Sequence, residues 1–345
     1  MGSYNMKRIG YVDSLKGLSM LMVVAGHIII FCALNYDNSF VRHIVLVNMP
    51  LFFFLNGLVL KQIPAGGAGV RINAIKKKAT ALLIPFFVWG ALITVFRGAT
   101  YTEFLSNYFK FGYWYLPVLF QLCLINYLCD IVLNHVPKKN VLIETIALFA
   151  LTWVFFRFCT RFVPVDINCM IDYYQVIEYM PYFFLGILVG RFLIGENIMR
   201  HTSVWTTSLL ILSIVGYMWW NCSTGSVATF VLRVCLILLI YAMFIAYDMC
   251  SSPCIKGIMS MLAQIGRHTL AIYMIQFFLF RYIDLHIPGT YLYDSHNLIA
   301  FFILVTVASL TVCYVCILIE KVIATSRLFS FVLLGRRFAS VSKNN

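Results

Sequence analysis

The sequence predicts an all-α polytopic membrane protein, with about ten transmembrane helices in one bundle and both termini cytoplasmic. Three observations carry that expectation. The apolar set supplies 62% of the 345 residues and Asp, Glu, Lys and Arg together only 11%, against roughly 25% charged residues in soluble globular proteins. Apolar runs of lipid length recur along the whole chain. Basic residues collect in short clusters between those runs, the pattern of cytoplasmic loops on a membrane protein. The net charge of +13 would suggest nucleic acid in a soluble protein; placed this way it reads as membrane topology, and no nucleic acid is expected as a partner.

A hydrocarbon core of about 30 Å takes roughly 20 helical residues. Runs of that order fall near 13–35, 40–60, 79–96, 113–134, 141–157, 176–194, 204–221, 227–247, 268–283 and 297–320. The first follows Lys7 and Arg8, like the n-region of a signal peptide, but it is longer than an h-region and lacks a small-x-small cleavage site, so it reads as a retained helix. The fifth is short and reads as tilted or shared with its flanks. Gly and Pro within several runs are tolerated because neighbouring membrane helices re-satisfy the backbone.

With ten spans and a cytoplasmic N-terminus, 19 of the 26 basic residues fall inside, and every inner loop contributes. The other seven are Arg42, Arg97, Lys110, Arg157, Arg161, Arg233 and Arg281. Residues 65–69, Ala-Gly-Gly-Ala-Gly, match no phosphate-loop spacing and read as a flexible inner connector before a lysine cluster. No internal repeat or low-complexity linker interrupts the chain, so residues 1–345 read as a single integral-membrane domain. Eleven cysteines are scattered, mostly inside apolar runs. Cys313 and Cys316 form a lone CxxC in a lipid-length run, where small apolar filler is the plainer reading and no metal site is expected. Cys159 and Cys169 share one polar loop, which leaves room for a disulfide.

Ionisable residues inside membrane spans are costly and therefore functional candidates. The first run holds Asp13 and Lys16 at its cytoplasmic end and His27 beyond its middle. Eleven residues at 100° each are three turns and about 20°, so Lys16 and His27 share a face, separated by about 16 Å along the axis. Asp13, Lys16, Met20, Val24 and His27 form one stripe, suited to line a polar cavity. The structural alternative makes Asp13 an N-cap, Lys16 a snorkelling cation and His27 a bond to a neighbouring helix. On the residues alone both readings stand.

The wording around these residues is specific. Residues 11–18, Tyr-Val-Asp-Ser-Leu-Lys-Gly-Leu, running on to residues 23–27, Val-Val-Ala-Gly-His, resemble the opening of the bacterial membrane acyltransferase-3 family, in which a basic residue and a histidine enclose ten positions. Residues 49–57, Met-Pro-Leu-Phe-Phe-Phe-Leu-Asn-Gly, resemble its second signature, with Asn56 where Ser is more usual. Leu82–Phe86, Trp114–Pro117, Phe184–Gly186 and Ile265–Tyr273 match later landmarks in order. Two positions depart from the pattern: Ala81 stands where an arginine is frequent, and Gln276 where many members carry histidine.

The resemblance implies transfer of an acyl group, usually acetyl, from cytosolic acyl-coenzyme A to a hydroxyl of a cell-surface or lipid-linked glycan, in the bacterial cytoplasmic (inner) membrane. Acyl-CoA is then a donor substrate, and no bound cofactor is implied. A sugar hydroxyl is a weak nucleophile and needs a base, and imidazole titrates near physiological pH. His27 is thus expected as general base or covalent acyl relay, with Lys16 near the donor or holding Asp13. Arg71, Lys76, Lys77 and Lys78 are expected to meet the donor phosphates, although positive-inside bias alone accounts for such a cluster. Asn56 is expected to donate to the thioester oxygen. Trp114 reads as an interfacial belt residue or a sugar platform, and Glu178 as an acid at the outer mouth. Glu144 and Asp172 are further acids near span ends. The competing function is a transporter or flippase in which Asp13, Lys16 and His27 line a translocation path.

Overall fold

The computed structural model describes residues 10–33, 39–60, 68–134, 140–192, 202–222 and 225–336. Of the described residues 89% are helical, and none lies in a strand. Helices α1 (Gly10–Ile28), α2 (Ser39–Leu58), α3 (Ala68–Arg97), α4 (Tyr101–Ser106) and α5 (Tyr115–Leu133) are followed by α6 (Val141–Cys159), α7 (Val165–Ile171), α8 (Tyr173–Phe192), α9 (Thr202–Cys222) and α10 (Ser226–Asp248). Then come α11 (Pro253–Arg267), α12 (Thr269–Leu279), α13 (His286–Asp294), α14 (Leu298–Ile323) and α15 (Arg327–Leu334).

In each of the ten predicted runs most of the described residues are helical. Six helical stretches are long and apolar enough to cross a membrane: 10–33, 72–97, 115–133, 141–162, 226–248 and 298–323. A seventh is added when Thr269–Tyr282 and His286–Asp294, bent by 90°, count as one broken span. Three predicted runs fall outside this set. Helix α8 carries Gln175, Glu178 and Arg191, α9 is rich in Ser and Thr, and the apolar part of α2 is confined to His43–Leu58. Of the basic residues behind the charge count, Lys7, Arg8, Lys61, Lys138, Lys139, Arg200, Arg337 and Lys343 lie outside the described residues, as does the connector through Gly67. Cys159 and Cys169 are both free thiols, so the disulfide that their shared loop allowed is not formed.

Two compact units are distinguished, one of residues 1–55 and 195–317, the other of 56–194 and 318–345. In the first, α1 and α11 run side by side in backbone contact, with Ser14 at Met259 and Gly17 at Leu262. A Cβ on Gly17 would stand 1.8 Å from the Leu262 carbonyl oxygen, and one on Gly266 1.8 Å from that of Asp13. Only glycine permits this approach, the device by which membrane helices without a hydrophobic driving force pack tightly. The Ser14 hydroxyl donates to the Met259 carbonyl across the same seam at 2.8 Å. Helix α11 lies in no predicted run. It is amphipathic, opens on Pro253 at its first turn, where a missing N–H costs nothing, and buries Leu262, Ile265 and Gly266.

Past Ile28, α1 widens into a π-helical turn, Ile29–Ala33. Helix α13 docks there: Leu285 N–H donates to the Cys32 carbonyl at 2.8 Å. Ile29 and Ala33 join Val41, Phe301 and Val305 in a buried apolar cluster that Leu285, Leu292 and Tyr293 complete.

In the second unit, α3 packs on α5, α4 and α15, and α8 on α5 and α6. Glycine again sets the closest approach: Cβ atoms on Gly57 and Gly190 would stand 2.0 Å from the Phe183 carbonyl oxygen and 2.4 Å from that of Leu58. Phe149 and Phe184 stack at 4.0 Å between α6 and α8. The Trp89 indole donates to the Leu333 carbonyl at 2.8 Å, tying α15 to α3.

The α1–α11 seam yields a stability prediction. Gly266→Ala must push the α1 backbone away, and overpacking of this kind costs about 1–3 kcal/mol. It should lower the unfolding temperature of the detergent-solubilised protein. Gly257→Ala, on the same helix with nothing within 4 Å of its Cβ, should be neutral or stabilising by up to about 1 kcal/mol through helix propensity. Equal shifts in thermal melts of the two variants would contradict the tight seam.

Candidate functional site

The α1 stripe faces protein along its length. Asp13, Lys16 and His27 are half-buried, while Met20 and Val24 between them are closed off at 2% and 0% exposure. The middle of the stripe is therefore packed shut and forms no polar lane along the helix. Asp13 lies in the first turn of α1 rather than at its N-cap, where a carboxylate complements the positive end of the helix dipole.

His27 sits one residue before the end of regular α-helix. π-Turns of the kind that follows it are rare and concentrate at functional sites. Its ring is enclosed by Phe277 at 5.0 Å, Phe31 at 5.9 Å and Phe280 at 5.9 Å. Helix α12 and its continuation supply Phe277 and Phe280, and between them and the preceding turn comes Gln276, whose side chain reaches the imidazole. Gln276 is fully buried, and its Nε2 donates to the Tyr273 carbonyl at 3.4 Å. The His27 Nδ1 and the Gln276 Oε1 are both shut off from solvent without a hydrogen-bond partner. Each such orphan costs about 1–3 kcal/mol, so two in one apolar box mark a place held for something other than packing.

These contacts join the first and last sequence landmarks. Gly266 meets the backbone of Asp13, and Gln276 meets His27. In the second unit the second signature meets the Trp114–Pro117 motif: the Asn56 amide donates to the Tyr115 hydroxyl at 2.6 Å. Trp114 stacks on Tyr179 at 5.3 Å and 27°, with Glu178 exposed on α8 beside it. A surface pocket of about 690 Å³ runs along the outer face of α13, lined by His286, Thr290, Tyr291 and Asp294 among others, and no predicted site residue lines it.

Residues 9–318 match the acyltransferase-3 family model, described as an acyltransferase domain. The chain belongs to this family. It is a multi-pass membrane acyltransferase. No curated protein and no solved structure matches it.

Within this acyltransferase-3 chain the basic cluster departs from expectation. It is helical rather than part of a loop, because α3 begins at Ala68. Consecutive lysines on a helix fan out by about 100° each, so Lys76, Lys77 and Lys78 point in three directions. Lys76 and Lys77 are exposed and Lys78 is half-buried. The side chain of Arg71 lies outside the described residues.

Sequence reasoning placed Lys110 and Asp172 at the margins and missed their pairing. The two form an ion pair at 3.0 Å with side chains 1% and 0% exposed. Lys110 Nζ also donates to the carbonyls of Cys169 and Asn107. Both residues, and Phe111, adopt left-handed backbone conformations, which no sequence signal announced. A second buried pair joins Arg191 to Asp130 at 2.8 Å, with the Asn126 amide donating to the same carboxylate at 3.3 Å.

Burial pushes the Asp172 carboxyl up to about 7, against the pull of the Lys110 ammonium. An unfolded Asp titrates near 3.9, so between about pH 4 and 7 the folded state holds the extra proton. The stability this contributes is lost as pH rises through that window, and the dependence flattens above it. Thermal unfolding from pH 4.5 to 8 should therefore show a fall that Asp172→Asn reduces. An identical pH slope in the variant would place the titration elsewhere.

Proposed function

We propose that this protein is an O-acyltransferase of the bacterial cytoplasmic membrane. It moves an acetyl group from cytosolic acetyl-CoA to a hydroxyl of a cell-surface or lipid-linked glycan, with His27 as the general base or acyl relay. The observation that carries this reading is the His27 box: a histidine on a lipid-length helix, on the family's first signature, its ring set among phenyl rings and beside the buried Gln276. As base, the imidazole takes the hydroxyl proton while the sugar oxygen attacks the thioester carbonyl. The tetrahedral intermediate collapses, the C–S bond breaks, and the imidazolium returns its proton to the departing thiolate. As relay, the imidazole first takes the acetyl with loss of the thiol, then passes it to the hydroxyl. The transporter reading requires a continuous polar path through Asp13, Lys16 and His27, and the burial of Met20 and Val24 between them opposes it.

Lys16 and the basic start of α3, Arg71 with Lys76, Lys77 and Lys78, are assigned to the donor's negative charges, and Asn56, Trp114 and Glu178 to substrate contacts. Ten spans with both termini cytoplasmic remain the topology favoured by the charge distribution.

His27→Ala should lower transfer by about two to four orders of magnitude, measured as CoA release and acceptor mass gain, with expression near normal. His27→Gln should be equally inactive, because an amide keeps a hydrogen bond but accepts no proton. Near-normal turnover of His27→Gln would make the histidine structural.

A separate substitution probes the donor. Replacing Lys76, Lys77 and Lys78 together by Gln should raise the apparent donor KM with little change in kcat, because contacts far from the reacting carbon contribute uniform binding. An unchanged KM would assign the cluster to topology alone.

A further inference from the structure

We infer that Gln276 is the positioning residue for His27: its Oε1 accepts the Nδ1–H of the imidazole and so fixes the tautomer whose bare Nε2 performs the chemistry. The inference rests on the reading of His27 as base or relay.

The polar inventory of the box leads to it. Two atoms there are buried without a partner, the His27 Nδ1 and the Gln276 Oε1. One can carry a proton and the other can only accept one, so pairing them satisfies both at once. The rings around the imidazole, Phe31, Phe277 and Phe280, offer no competing acceptor. The amide of Gln276 is itself held in place. It is fully buried, and its Nε2 is turned to the carbonyl of Tyr273 on its own helix, which leaves the Oε1 as the atom to present. Phe277 and Phe280 come from the same helical segment, so the element that supplies the acceptor also clamps the ring.

The orientation has a chemical consequence. Nδ1 is closed to solvent, and with Nδ1 turned to Gln276 the nitrogen left for a substrate is Nε2, on the other edge of the ring. With Nδ1–H held by Gln276, Nε2 carries the lone pair. It takes the hydroxyl proton, or the acyl group in the relay route, while Nδ1 keeps its own proton throughout. The amide orients the ring without ever being protonated. Contacts of this kind often lengthen in the absence of substrate and tighten in the reacting complex.

The alternative role for Gln276 is plain packing, and the two roles predict opposite orders among variants. Gln276→Leu keeps the volume and removes the acceptor. Gln276→Glu keeps an acceptor and adds a charge to an apolar box. Positioning predicts a kcat loss of about 10–100-fold for Gln276→Leu, the range seen when a partner orienting a functional histidine is removed. Donor KM should stay within about 2-fold, and Gln276→Glu should be several-fold more active than Gln276→Leu. Packing predicts that the apolar variant is the better tolerated, and Gln276→Leu at or above Gln276→Glu in kcat would overturn the proposal.

A measurement on the unmutated protein settles the case even where a variant fails to fold. In ¹⁵N-histidine NMR, with the His27 signal identified by its loss in His27→Gln, the Nδ1–H tautomer is expected, and the Nε2–H tautomer would overturn the assignment. His27→Ala separates this proposal from the one beneath it. Activity in that variant overturns both. Inactivity there with full activity in Gln276→Leu overturns the Gln276 role alone.

Discussion

The first unit depends on one contact, the meeting of backbones at Gly17 and Gly266. Without a Cβ on either side, α11 lies directly on the start of α1, and that fixes both the depth and the rotation of α1 about its axis. Only His268 separates α11 from α12, so the same seam also decides where α12 begins. Helix α12 carries on along α1 and brings Gln276, Phe277 and Phe280 to His27. A shift at the seam would thus move the whole wall of the histidine box, although no seam residue touches the ring. Two glycines that look like incidental parts of sequence motifs are in this sense the scaffold of the candidate site.

Polar groups in a largely apolar chain divide into those whose demands are met and those left open. In the second unit, Lys110 is bonded to Asp172 and Arg191 to Asp130 at 3.0 and 2.8 Å, and Asn56 to Tyr115. Single atoms there stay unpartnered, the Asp172 Oδ2, the Gln175 Oε1 and the Arg191 Nε among them, but each belongs to a group bonded through another of its atoms. Removing one member of such a buried pair is costly because the other is left charged and alone, so these pairs have a sufficient structural explanation. The His27 box has none. It places an imidazole beside a buried amide among phenyl rings, an arrangement that orients the ring and that packing alone does not require.

What the sequence made legible follows from what kind of information each feature needs. Lipid-length apolar runs need only composition, and the described residues of all ten are largely helical. How many of them cross the membrane depends on finer balances, such as Gln175, Glu178 and Arg191 within α8, and there run length alone overcounts. Helix α11 was invisible to a search for apolar runs because only one of its faces is apolar. Its signal was the proline opening at Pro253 and a helical period over the next fourteen residues. The basic stretch before Leu82 read as a loop because clustered lysines suggest one, yet nothing between Gly69 and Pro85 breaks a helix. Lys16 and His27 were legible because they share a helix, where spacing fixes geometry. The pairing of His27 with Gln276, some 250 positions away, is tertiary and needed coordinates, as did the left-handed turns that bring Lys110 to Asp172.

The closure of the stripe between Lys16 and His27 bears on the kind of ligand that can use both. A cation and an imidazole about 16 Å apart on one helix, with Met20 and Val24 buried between them, cannot hand a small solute from one to the other along α1. A ligand serving both must be long, carry negative charge at one end and its reactive carbon at the other, and approach beside the stripe. Acyl-coenzyme A has that form, with phosphates and thioester at opposite ends of an extended arm. On this reading the distance between Lys16 and His27 is a measure of the donor, and the apolar middle keeps the two ends of one substrate apart. The same separation disfavours a proton or ion path, which needs polar groups at hydrogen-bonding intervals and finds two buried apolar side chains instead.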